Sequence, residues 1–127
     1  MTLHIFRSYA AGFFGKLPDD VRARLLAEVD AHDHLRAAYT PDGTLSYDKS
    51  LTYFRFRYEV RERADSSGEA REAMLETVRT KALDQLGRIG VAVPDPTKLQ
   101  VGGTDMASIF ITGLSQVSKG IRLIKLP

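Results

Sequence analysis

The chain has no cysteine, no tryptophan and no asparagine. Without cysteine it can form no disulfide, no thiolate metal site and no cysteine nucleophile, which suits a reducing compartment. Neither sign of charge dominates: 18 basic residues face 16 acidic ones, a formal +2. That is too weak a global field to argue for nucleic acid. No apolar run approaches the roughly 18 residues of a membrane helix. The opening MTLHIFRSYAAGFF lacks the basic start and apolar run of a signal peptide. The expectation is therefore a cytoplasmic protein with no membrane partner. At 127 residues the chain has the length of one compact domain that can bury a core without staples.

What is present is alternation and punctuation. Leu3 to Ala11 mixes β-branched, aromatic and small residues and reads as a strand. Gly12, Gly15 and Pro18 punctuate the chain, and Pro18 suits a first helical turn, followed by Asp19 and Asp20 at the positive dipole end. Val21, Leu25 and Val29 then give one apolar stripe, predicting a helix over 18–33. Leu35 to Thr40 reads as a short strand, turned by Pro41-Asp42-Gly43 into Thr44 to Tyr47, a small hairpin. Leu51 to Arg61 is the clearest strand: Phe54, Phe56, Tyr58 and Val60 point one way, Tyr53, Arg55, Arg57 and Glu59 the other. Ser66 and Glu69 form a capping box before the stripe Ala70, Met74, Val78, Ala82 and Leu86. Lys98 to Val101 reads as a last core strand, followed by Gly102-Gly103.

The order strand, helix, hairpin, strand, helix, strand predicts an α+β domain of ferredoxin-like type over 1–105, an antiparallel sheet with both helices on one face. The segment 106–127 is apolar, with Ile109, Phe110, Ile111 and Leu114 near its start, and carries three bases and no acid. It should pack on the domain or on a second subunit, with Ile121 to Leu126 available as an edge strand. The other sheet face and this tail together predict a homodimer, with a dimeric α+β barrel-like assembly as one form.

The run GFFGKLPDDVRARLLAEVDAHDHLRAAYTPDGTLSYD, then YFRFRYEV and GGTDM, resembles a group of small actinobacterial proteins, DUF6204. The resemblance rests on Gly12, Phe14, His32, Asp33, Thr40, Gly43, Leu45, Tyr47, Asp48, Phe54, Phe56, Thr104, Asp105 and Met106, and covers roughly Ser8 to Met106. It implies the same fold and carries no activity with it.

The candidate chemistry concentrates between Asp30 and Val60. His32 and His34 are two apart, about 200° on a helix, so they make a poor metal pair unless the chain is already extended at His34 and they converge with Asp30. No metal and no cofactor is expected. His32 in the last helical turn suits the dipole, whereas His34 has the natural pKa of a general acid or base. Asp48 either bonds the following turn or polarises Tyr47 or His34. Arg55 and Arg57 are either a solvated face or a wall for an anion or carbonyl, with Tyr53 and with His4 or Ser8 from the neighbouring strand.

Two known sites on folds of this order, and two common motifs, are disfavoured. An RNA-recognition domain has this element order, but YFRFRYEV lacks its Gly-Phe-x-Phe signature, so no nucleic acid is expected. Acylphosphatase-type sites need an arginine in the first strand–helix loop and a partner asparagine in the third region; AAGFFGKLP has no arginine and the chain has no asparagine. There is no phosphate-binding glycine loop and no Ser-His-Asp motif.

The expectation is a small cofactor-independent enzyme on an organic metabolite, of isomerase, cyclase or dehydratase type, with secondary metabolism as an analogy to other ferredoxin-like dimers. His34 or Asp48 would move protons and Arg55 and Arg57 would stabilise negative charge. Tyr47, Tyr53 and Phe110 would shape the substrate pocket. The alternative is a non-catalytic small-molecule-binding or assembly protein.

Overall fold

The computed structural model describes residues 1–106. Phe110 and the proposed edge strand at 121–126 lie outside the described residues. Four strands form one open antiparallel sheet: β1 (Thr2–Phe13), β2 (Thr44–Tyr47), β3 (Tyr53–Ala64) and β4 (Gln100–Asp105), in spatial order β2-β3-β1-β4. Two helices, α1 (Asp19–Ala27) and α2 (Ser67–Arg88), complete the α+β fold.

Period-two alternation decides the faces. Phe54, Phe56, Tyr58 and Val60 of β3 lie opposite Gly12, Ala10, Ser8 and Phe6 of β1, and this face is buried. Val21 and Leu25 of α1 join the same core, as do Ala70, Met74, Val78, Ala82 and Leu86 of α2. The Ser66 hydroxyl caps α2 by accepting from Glu69 N at 3.1 Å. The free face carries Arg7 and Tyr9 from β1 and Tyr53, Arg55 and Arg57 from β3.

Three sequence expectations need correction. α1 stops at Ala27, and the chain tightens into a 3₁₀ turn over Val29–His32. His32 holds that turn: its Nδ1–H donates to Leu45 O at 2.9 Å and its ring stacks 5.0 Å from Tyr47. Leu35 to Tyr39 is not a strand. The carbonyls of His34 and Ala37 accept from Arg57 Nη1 at 2.9 and 2.7 Å, and Ala38 O accepts from Thr44 Oγ1. With its carbonyls taken by side chains, the segment crosses the free face as a loop, and β2 pairs with β3 instead of closing a hairpin. Finally, β4 continues through Gly102-Gly103 to Asp105.

Candidate functional site

The free face of the sheet is a cleft, not a plain surface. It is a broad, solvent-open groove of about 630 Å³, comparable in volume to small-molecule sites. Its floor comes from alternation on β1 and β4: Arg7 pairs across with Thr104, and Tyr9 with Gly102. One wall is β3, which raises Arg55 beside Tyr9. The second wall is the loop before β2, which lays Tyr39 over the sheet. Arg71 reaches in from the first turns of α2 around the β4 edge, where its Nη1 donates to Gly103 O at 3.0 Å. Met106 closes one end.

Glycine at position 102 has a specific job here. A β-carbon there would stand 2.7 Å from the Tyr9 hydroxyl and 2.8 Å from its ring. Without one, the ring can lie down against β4. The Arg55 guanidinium then sits 5.0 Å from the centre of that ring. Tyr39 is flanked similarly, by Arg7 at 5.6 Å and Arg57 at 5.8 Å. Such contacts favour the cation when water is partly excluded.

The charge balance is unusual. None of Arg7, Arg55 and Arg71 has a carboxylate within ion-pair distance among the described residues. The remaining residues 107–127 contain no Asp or Glu side chain to supply one. Arg55 Nε is buried without a hydrogen-bond partner among the described residues. Buried charged donors in native proteins are normally paired.

Arg57 has a different task. Its two bonds to His34 O and Ala37 O fasten the covering loop to the sheet, so it builds the wall of the cleft. His34 lies beside this wall, with Nδ1 2.7 Å from Ser46 Oγ. Ser46 is fully buried, and its hydroxyl donates weakly to Arg55 O at 3.4 Å. Either group can donate across this contact, so it fixes the orientation of the imidazole and not its tautomer. Tyr53 lies 6.3 Å from the His34 ring.

Asp48 and Tyr47 are placed elsewhere. Asp48 is fully exposed and organises its own turn, with Oδ1 accepting from Ser50 N at 3.1 Å. The Ser50 hydroxyl bond, with minor help from the nearby His34 charge, holds its carboxyl below the usual value. Tyr47 sits in the core, and its hydroxyl donates to Leu25 O at 2.7 Å. Burial raises its pKa to about 12. Because the native state favours the neutral phenol, this contribution to stability is full below the ordinary tyrosine value near pH 10 and is lost as pH rises towards 12. In an alkaline absorbance titration Tyr47 should ionise only near pH 12 or on unfolding. Tyr47→Phe should cost about 1 kcal/mol in denaturant melts, since Leu25 O loses its short bond from the phenol and keeps only the longer one from Glu28 N. Stability unchanged in Tyr47→Phe would contradict this placement.

His4 and Ser8 are on the helix-covered face, not beside Arg55 as expected. His4 Nδ1 bonds Asp105 Oδ2 at 2.9 Å, joining the start of β1 to the end of β4. Strand parity explains the error: even-numbered residues of β1 share the face of Phe6. The same parity, read forward, assigns Arg7 and Tyr9 to the free face, a signal that was present in the sequence. Tyr39 and Arg71 carried no such signal, because a loop and a helix bring them in. Among the described residues no group of three His, Asp or Glu side chains is placed to hold a metal ion, and no helix is long and apolar enough to cross a membrane.

These features define an α+β protein with an open antiparallel sheet, helices on one face and an arginine–tyrosine cleft on the other. The chain belongs to DUF6204, a family of unknown function whose model matches residues 1–113. The match thus extends to both sides of the segment that carries the resemblance. No curated protein and no solved structure matches the chain.

Proposed function

We propose that the protein binds a small organic anion in the free-face cleft. The observation that carries this reading is the set of guanidinium groups, Arg7, Arg55 and Arg71, which line one cleft with no carboxylate partner among the described residues and none available from the side chains of 107–127. Arginine's planar fork matches a carboxylate or phosphate. Glu59, the cross-strand partner of Arg7, is paired with Arg61 instead, and an anion bound in the cleft would add counter-charge to the three guanidinium groups. Thermal melts in citrate, phosphate and benzoate, at constant sodium and pH, test it. An anion at about a hundred times its Kd adds about 2.7 kcal/mol, a rise of several degrees in Tm for a domain of this size. Identical melts in all anions and in chloride would remove the proposal.

A second reading makes the site catalytic, with a cofactor-free isomerase, cyclase or dehydratase reaction. It rests on His34, whose ring is held by Ser46 through Nδ1 beside the loop that Arg57 fastens to the sheet. In this reading His34 moves the proton and Arg55 stabilises the resulting enolate-type charge. His34→Ala separates the two. Binding alone tolerates the change, with Kd within about twofold, whereas proton transfer falls by roughly a hundred-fold or more.

The strand order and antiparallel pairing support a ferredoxin-like reading of the fold. We carry with it a cytoplasmic location, from the reducing-compartment composition, and a homodimer, from the apolar acid-free tail. Light scattering on the full chain should return the mass of two chains; a single-chain mass would remove the dimer.

A further inference from the structure

Four observations bear on which anion the cleft takes. First, the Tyr9 ring lies along β4 only because position 102 has no β-carbon. Second, the Arg55 guanidinium is stacked at 5.0 Å over that ring. Third, Tyr39 lines the same cleft with 37% of its surface exposed. Fourth, Arg7 and Arg71 both stand near Thr104: Arg7 is its cross-strand partner, and Arg71 is tied to the adjacent Gly103 carbonyl. The cleft thus has a stacked, flat part and a separate cationic end.

We propose that the ligand is a flat, conjugated carboxylic acid, with its ring system against the Tyr9–Arg55 stack and its carboxylate between Arg7 and Arg71. The inference rests on the anion-binding reading above and narrows it to one chemical class. Its physical basis is the ring quadrupole. A guanidinium beside a phenol draws on the electron density of the ring, so the stack favours an electron-rich, delocalised partner over a saturated one. Arginine planes themselves stack on conjugated systems. A puckered aliphatic acid of equal size would keep the carboxylate contacts and lose the stacking.

The test compares 2-naphthoate with decahydro-2-naphthoate, which share a carbon skeleton and a carboxylate and differ in flatness, with inorganic phosphate as the ringless anion. Stacking on an aromatic side chain is worth about ten- to a hundred-fold in affinity. Calorimetric titration of the full chain should therefore show 2-naphthoate binding at least about tenfold more tightly than its saturated analogue. Tyr9→Leu should collapse that preference to about twofold while phosphate binding persists, because the cationic end is untouched. Gly102→Ala, whose new methyl displaces the Tyr9 ring, should weaken the preference in the same direction. Equal affinity for the two naphthoates in the wild-type protein overturns this inference and leaves the anion-binding reading standing. Unchanged discrimination in a folded Tyr9→Leu also overturns it. No binding of any of the three anions overturns both.

Discussion

Arg55→Ala is expected to lower affinity for a flat organic anion roughly ten- to a hundred-fold, the worth of a stacked cationic partner in a partly dry site. The stability of the unliganded protein should move far less. Arg55 makes no ion pair among the described residues, its Nε is buried without a partner, and it shares the cleft with Arg7 and Arg71. Removing it relieves like-charge repulsion and an unmet donor, while losing its packing over Tyr9. These changes oppose one another, so Tm in chloride should shift by only a few degrees. Stabilisation by added anion should largely vanish. Arg55→Lys should recover part of the affinity, since it keeps the positive charge but loses the planar group that stacks. The salient result is the dissociation of the two readouts. A residue that merely held the fold would lower Tm and leave the ratio of liganded to unliganded stability alone. Titration calorimetry beside thermal melts of Arg55→Ala separates these outcomes.

Gly43→Ala is expected to be the most damaging glycine-to-alanine change among the described residues, at about 2–6 kcal/mol. Two costs add there. The backbone of Gly43 has φ +90, a conformation that a residue with a β-carbon adopts only under strain, costing of order 1–3 kcal/mol. The added methyl would also lie 2.7 Å from Tyr58 Cδ1 and nearer still to Cε1. Tyr58 is fully buried, and its hydroxyl donates to Gln85 of α2. The turn is fastened from the same helix, with Gln85 Nε2 donating to Asp42 O at 2.7 Å and Lys81 Nζ to Pro41 O at 2.9 Å. Neither ring nor turn can retreat without breaking these bonds, and overpacking of this kind costs about 1–3 kcal/mol. Against a total stability of about 5–15 kcal/mol, the loss should drop the denaturant midpoint sharply. A midpoint within experimental error of wild type would show that the turn does not pack on Tyr58 as described.

Much of the fold was legible because its signals are local. The alternation of Phe54, Phe56, Tyr58 and Val60 needed no tertiary information to reveal a buried face, and the Ser66 cap marked the start of α2. The covering loop was not legible. Leu35 to Tyr39 has strand-compatible residues, and what keeps it out of the sheet is one arginine side chain twenty residues on, which takes the His34 and Ala37 carbonyls. No propensity reports that. The site was half legible for the same reason. Arg55 and Tyr53 were assigned to the correct face, and Arg7 and Tyr9 follow from strand parity. Tyr39 and Arg71 enter only through the loop and the helix. Tyr47 and Asp48 drew attention by chemistry alone, and geometry gives one to the core and the other to its turn.

An organic anion on the free face of the sheet is the proposal from which the rest follows. Amide chemical-shift mapping of the isotope-labelled full chain titrated with 2-naphthoate tests it most directly. Saturable shifts are expected at Tyr9, Gly102, Gly103 and Thr104, with the amides of α1 silent, and these shifts should weaken sharply in Arg55→Ala. Shifts centred on another surface, or none at saturating anion, would contradict it.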